Sequence, residues 1–208
     1  LLPQEPNSLE TVSLHMLSAR QVALLGVLAA VNSVVRLLGA GVAGIETAFA
    51  LIILAGYIFG SSFGFLLGLI SIFSSALISG GIGPWLPFQI IAAAAVGAGA
   101  GLVPKPESSK MRIIFLSIFA VFASFLYGVF MTAWTWPLFV GPNTSLSYLE
   151  GGSIEENVSR FIQFELVSGG LLWDTGRAIT TVVLISLTGK ALMATLERAA
   201  TRADFAKS

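Results

Sequence analysis

The chain is expected to be an all-α integral membrane protein, a bundle of six transmembrane helices with a short outer amphipathic helix between the fifth and the sixth. Two uninterrupted stretches predict this class. From Thr47 to Pro104 there are 58 residues without Asp, Glu, Lys or Arg, and from Ile113 to Leu149 there are 37 more. An α-helix rises about 1.5 Å per residue and needs roughly 20 apolar residues to cross about 30 Å of hydrocarbon, so the first stretch holds two or three crossings and the second holds one with its exit loop. Composition agrees: of 208 residues 55% are hydrophobic and 11% charged, with a mean hydropathy of +0.88, whereas a soluble domain carries about 25% charged residues.

Residues 1–19 are polar and read as a cytoplasmic tail, and residues 20–194 as the membrane domain. The first crossing spans about Val22 to Leu38 and is ended by Gly39 and Gly41. A second, about Ala43 to Phe59, is closed by Gly60-Ser61-Ser62, and a third, Phe63 to Ile78, meets Ser79-Gly80-Gly81 and Pro84. The fourth runs from Trp85 to Val103 and stops at Pro104-Lys105-Pro106, where proline offers no backbone donor to continue a helix. A fifth covers about Ile113 to Thr135 before Pro137, Gly141 and Pro142 open a polar outer loop, 137–170. Within that loop Ser153-Ile154-Glu155-Glu156 has the S-x-x-E spacing of a capping box. Ile154, Val158, Phe161 and Ile162 follow at helical spacing, so one face of this outer helix is expected to lie over the bundle as a lid or to rest on the membrane surface. The sixth crossing, about Leu171 to Met193, leads into a charged tail, 195–208.

Basic residues set the orientation. With the N-terminus cytoplasmic, Arg20, Lys105, Lys110, Arg112, Lys190, Arg198, Arg202 and Lys207 all fall inside, and short loops rich in Lys and Arg stay on that side. The outer loop instead carries Glu150, Glu155, Glu156 and Glu165, with Arg160 as its one basic residue. Both termini are then cytoplasmic, and the protein is a multi-pass component of the cell membrane with the lipid bilayer as its surroundings.

Four ionisable residues lie within or at the ends of crossings, where a charge at a helix centre costs about 2.5–3.5 kcal/mol on insertion scales. Arg36 ends the first helix, Glu46 begins the second, and Asp174 and Arg177 occupy the first turns of the sixth at i and i+3. All four map to the outer side. They either lock helices together or form the polar floor of an outward-facing pocket, and the two roles are compatible. Trp85, Trp134, Trp136 and Trp173 map to the same side and none to the inner side, whereas an interfacial belt enriches both boundaries. Indoles beside Gln89, Asn143 and the charged residues are what a small-molecule pocket offers. On the inner half of the first helix, Ala19, Ala23, Gly26 and Ala30 repeat the small-xxx-small spacing that lets helix backbones approach in lipid, either within the bundle or against a partner helix.

Enzymatic activity is not expected. The single histidine, His15, lies in the polar tail, there is no cysteine and no Walker A segment, and Asp174 and Asp204 are the only aspartates. No cofactor or metal is called for. Formal net charge is zero, so no attraction to nucleic acid is written into the chain.

From Arg20 to Lys190 the hydropathy and topology resemble the substrate-binding S component of energy-coupling factor (ECF) vitamin transporters. The segment Gly83-Pro84-Trp85-Leu86-Pro87-Phe88-Gln89 looks like the Gly-Pro-Trp-x-Pro-aromatic-Gln stretch of S components assigned to cobalamin or related corrinoids, with Phe88 at the aromatic position. The resemblance implies a six-helix importer subunit that binds its vitamin at the outer face and topples in the membrane to release it inside. It also implies partners, a transmembrane coupling subunit and two ATPases, docked through the Ala19, Ala23, Gly26 and Ala30 stripe. On this reading Trp85, Phe88, Gln89, Trp134, Trp136 and Asn143 line the pocket, with Arg36, Glu46, Trp173, Asp174 and Arg177 around it. The other readings are a different small vitamin or nucleobase-like compound, a membrane assembly protein, or a stand-alone permease.

Overall fold

The computed structural model describes residues 17–39, 44–139, 144–203 and 205. Asn143 and His15 lie outside the described residues. The described residues form seven helices and no strand: α1 (Ala19–Leu38), α2 (Ala48–Phe59), α3 (Ser61–Ser79), α4 (Leu86–Ala100), α5 (Ser109–Phe139), α6 (Ile154–Ser168) and α7 (Gly170–Arg202). Of these, α1, α3, α5 and α7 are long and apolar enough to cross a bilayer, and α2 and α4 are shorter apolar helices.

Of the two short helices α2 is enclosed by the others, whereas α4 is buried on one side and exposed at Ile91 on the other. Ten of the twelve residues of α2 are buried, with Phe49, Ile52, Ile53, Leu54 and Tyr57 fully so. A helix wrapped by protein has its end groups met by neighbours. The Thr47 hydroxyl donates to the Val35 carbonyl at 2.6 Å, and the Tyr57 hydroxyl donates to the Pro104 carbonyl at 3.3 Å. A single residue, Gly60, separates α2 from α3, and its φ of +94° is one that L side chains rarely adopt. Around this hairpin α4 packs so closely that a Cβ on Gly56 or Gly64 would meet the Gly97 carbonyl.

Helix ends differ from expectation where side chains or packing override the punctuation. α2 starts at Ala48 because Glu46 stays outside it, its carboxylate accepting from the Ala48 amide at 3.2 Å. α5 continues through Pro137, since a proline in the last turn removes only one hydrogen bond of a long ladder. α7 runs on to Arg202, so most of the segment read as a tail from 195 is helical, and Leu196 and Ala203 are buried. Phe205 then seats its ring 4.9 Å from that of Phe59 and 5.4 Å from that of Phe63.

The S-x-x-E segment caps α6, the Ser153 hydroxyl accepting from the Glu156 amide at 3.1 Å. The reciprocal half is not made, because the Glu156 carboxylate pairs with Arg160 one turn on at 2.9 Å. Of the expected apolar face only Phe161 turns inward, its ring 5.3 Å from that of Trp136, while Ile154, Val158 and Ile162 stay at least half exposed. Burial raises the Glu165 carboxyl on this helix above the usual range, the Thr132 hydroxyl opposing it. A carboxyl raised in the folded state holds its proton more tightly there than in the unfolded chain, so stability falls as pH rises from about 4.3 through the raised value. Glu165→Gln is expected to flatten that fall. Melting temperatures in detergent across a pH series read it, and an unchanged slope would refute it.

Candidate functional site

Six helices bring their ends to one cavity. α1, α3 and α5 finish at this end of the bundle, and α2, α4 and α7 begin there. Between them lies a cavity of about 380 Å³. Its polar wall is made by Arg36 of α1, Glu46 just before α2, Ser79 of α3, Gln89 of α4, Tyr127 of α5 and Arg177 of α7. Leu37, Ile45, Met131 and Trp173 supply apolar surface, and the half-exposed Ile45 and Trp173 stand at the mouth.

The charges are held in pairs. Arg36 lies 3.7 Å from the Glu46 carboxylate and donates to the Ser75 hydroxyl at 3.1 Å. Arg177 donates to Asp174 at 2.7 Å and to the Ser124 carbonyl at 3.0 Å, and its guanidinium sits 4.6 Å from the centre of the Tyr127 ring. Phe49 braces that ring edge-on at 5.0 Å. Asp174 itself is 2% exposed and sits behind the cavity wall, against Gly128 of α5, where a Cβ would collide with its carboxylate. Such neutralisation makes four charges tolerable at this depth, and it turns both arginines into oriented donors instead of free cations.

The chain preceding α2 is fixed from the α7 side. Gly44, at a φ of +76°, lies against Gly176, where a Cβ on Gly44 would come within 2.8 Å of the Gly176 Cα, and Thr180 donates to the Gly44 carbonyl at 3.4 Å. One turn beneath the cavity the interior stays polar. Asn32, Ser71 and Thr181, each four residues from Arg36, Ser75 or Arg177, are fully buried.

Of the residues singled out by sequence, Arg36, Glu46, Gln89, Trp173 and Arg177 line the cavity and Asp174 supports it. The other aromatic residues stand elsewhere. Trp134 stacks on Phe88 at 4.2 Å, nearly parallel, Trp85 is 42% exposed, and Trp136 faces α6 with its indole donating to the Leu146 carbonyl at 2.7 Å. Sequence reasoning missed Tyr127 and Met131. Their four-residue spacing would have put them on one face of α5, and a tyrosine inside a charge-free run was a signal that one face there is not lipid.

On α1 the inward face belongs to Leu25, Ala29, Asn32 and Ser33. Ala19, Ala23, Gly26 and Ala30 are exposed on the outside of the bundle, and a Cβ placed on Gly26 would meet nothing within 4 Å.

Comparison with protein families matches residues 20–196 to the ECF transporter, substrate-specific component. No curated protein and no solved structure matches the chain. The match covers most of the chain, from the start of α1 to the last turns of α7, and therefore every helix that contributes to the cavity. The protein belongs to the family of substrate-specific components of ECF transporters, multi-pass membrane subunits that bind a small substrate for import, partner a T component and ATPases, and are not enzymes.

Proposed function

We propose that the cavity shared by the six apolar helices is the substrate site, facing the cell exterior, and that its substrate is a compact vitamin or nucleobase-like molecule, neutral or zwitterionic. The convergence of all six helices on one cavity of about 380 Å³ carries this reading. Ligand pockets span about 300–1,000 Å³, so the volume suits a small heterocycle, whereas a corrinoid is several times larger. Two guanidinium groups, each already paired, match a substrate that needs directed hydrogen bonds more than a counter-charge. Trp173 and Met131 provide apolar surface for a ring.

In the membrane, α1 to α5 and α7 are the six crossings, α6 lies outside, and both termini are cytoplasmic. The exposed Ala19, Ala23, Gly26 and Ala30 stripe is the surface on which the T component docks. Family membership favours import with these partners over a stand-alone permease or an assembly role. The corrinoid reading keeps one specific support, the Gly83 to Gln89 segment, in which Phe88 stacks on Trp134 and Gln89 lines the cavity.

Calorimetry on purified protein with a vitamin panel separates the two. For a compact substrate, Gln89→Ala and Trp173→Ala are each expected to weaken binding about tenfold to a hundredfold, the effect of losing a directed hydrogen bond or an aromatic anchor, while Trp85→Ala changes little. Binding of cobalamin that depends on Trp85 and Trp134 would replace this reading with the corrinoid one. Retained affinity in Gln89→Ala and Trp173→Ala together would refute the cavity as the site.

A further inference from the structure

One carboxyl group breaks the pattern of α6. Ile154, Val158, Phe161 and Ile162 mark the apolar face of this helix, and Glu165, four residues after Phe161 and three after Ile162, falls on the same face. The other ionisable residues of α6 are placed differently, Arg160 pairing with Glu156 at 2.9 Å and Glu155 being exposed. Both Glu165 oxygens are buried. An acidic group on a face that is otherwise apolar is costly, and such a local conflict marks a place where the fold serves something besides stability.

The carboxyl is wedged into the seam between α5 and α7. A Cβ on Gly170 would come within 2.5 Å of a Glu165 oxygen, and the Thr132 hydroxyl faces the carboxyl from α5. The first amide of α7, on Gly170, donates instead to the Ser168 hydroxyl at 3.4 Å. Four residues on from Gly170 and four back from Thr132, Asp174 sits against Gly128, and beyond it Arg177 donates to the Ser124 carbonyl at 3.0 Å and lines the cavity. Glu165, Asp174 and Arg177 thus form a column of two acids and one base that runs from α6 to the cavity. The base already belongs to Asp174, at 2.7 Å. Burial holds the Glu165 carboxyl above the usual range, Thr132 opposes that effect, and of the charged groups on α7 Asp174 adds to it while Arg177 opposes it.

The joint between α6 and α7 carries this contact to the cavity mouth. A single residue, Gly169 at a φ of +82°, separates the two helices, a conformation that glycine adopts at little cost. Its carbonyl accepts from the Leu172 and Trp173 amides at 3.0 and 3.1 Å, and Trp173 stands at the mouth. We propose that α6 is a latch on the cavity mouth, closed while Glu165 carries a proton and released when that carboxyl ionises. Outside the seam water solvates the carboxylate and Asp174 no longer repels it, so ionisation favours departure. The joint then lets α6 swing, and the first turn of α7 moves with it, Trp173 included. Because the seated carboxyl holds its proton more tightly than a free one, the ratio of released to seated α6 is smallest below about pH 4.3. It rises about tenfold per pH unit from there until the raised value is passed. The effect on the mouth rests on the cavity being the substrate site, whereas the latch itself does not.

The test needs no substrate, so its failure is distinct from failure of the substrate assignment. The chain has no cysteine, and spin labels can therefore be placed at chosen sites on the full chain in detergent. One pair, Gln163→Cys and Ser186→Cys, reports α6 against α7, and a second, Lys110→Cys and Ser186→Cys, reports α5 against α7, all three positions being exposed. Double electron–electron resonance between about pH 4 and about pH 8 should show a longer α6 distance growing in as pH rises, while the α5 pair stays fixed. Glu165→Gln and Glu165→Ala lack the ionisable carboxyl, and each should remove the response. An α6 distance that is the same across the series in the labelled chain with Glu165 intact would overturn the proposal. So would a pH response retained in either variant, or an equal shift of the α5 pair, which would mean that the whole bundle loosens.

Discussion

Replacing Gly97 with leucine is expected to abolish the native bundle, and even Gly97→Ala is expected to destabilise it by about 1–3 kcal/mol, the usual range for overpacking. In an exposed helix the same glycine-to-alanine change gains up to about 1 kcal/mol, because alanine has the higher helix propensity. The sign reverses here because the neighbours are backbone. A Cβ on Gly97 would run into the Gly64 carbonyl, and one on Gly56 or Gly64 would run into the Gly97 carbonyl. Gly68 stands likewise against the Ala93 carbonyl, so α3 and α4 touch main chain to main chain along more than a turn. The nearest atoms are backbone, with the Ile52 side chain farther off, so a shift of that side chain would not relieve the clash. Gly26 on α1 is the internal control, since a Cβ there meets nothing within 4 Å and Gly26→Ala should stabilise. Thermal or denaturant unfolding in detergent compares the two, and equal stability of Gly97→Ala and Gly26→Ala would disprove the close approach. The consequence reaches the site, because α4 carries Gln89 two turns before Gly97. A helix pushed outward at Gly97 takes Gln89 with it.

Much of this architecture was legible because charge is scarce. Where 58 residues carry none, glycines and prolines are the remaining punctuation, and they located the apolar helices to within a few residues at most ends. The misplaced ends have local causes. Glu46 caps α2 from outside, and Phe205 draws the end of α7 onto Phe59 and Phe63. The ionisable part of the site was legible too, since Arg36, Glu46 and Arg177 are costly enough at these positions to require a reason. What the sequence left open was azimuth. A tryptophan at a helix end reveals depth and not the direction it faces, so Trp136 against α6 and Trp173 at the cavity mouth read alike. The same ambiguity covered the α1 stripe, which spacing alone fits equally to an interior seam and to an outer surface. The inward turn of Leu25, Ala29, Asn32 and Ser33 resolves it.

Asp174→Ala is expected to cost about 3–5 kcal/mol, because it leaves the Arg177 guanidinium buried without its carboxylate. The Ser124 carbonyl and the faces of Tyr127 and Phe49 remain around the cation, and they offset only part of the loss. Removing both charges is a different experiment. Asp174→Ala/Arg177→Met takes the desolvation penalty away with the attraction, so most of the stability should return. Affinity for the substrate should not. Arg177 lines the cavity, and its directed donors are lost in the double variant, so binding should fall about tenfold or more even in a well-folded protein. Unfolding and calorimetry on the same two variants thus separate two roles that the sequence could not distinguish. Recovery of stability together with full affinity would make the pair a lock between α5 and α7 and nothing more. Failure of the double variant to regain stability would mean that Asp174 is held by more than its ion pair, and its close fit against Gly128 is where that extra interaction would lie.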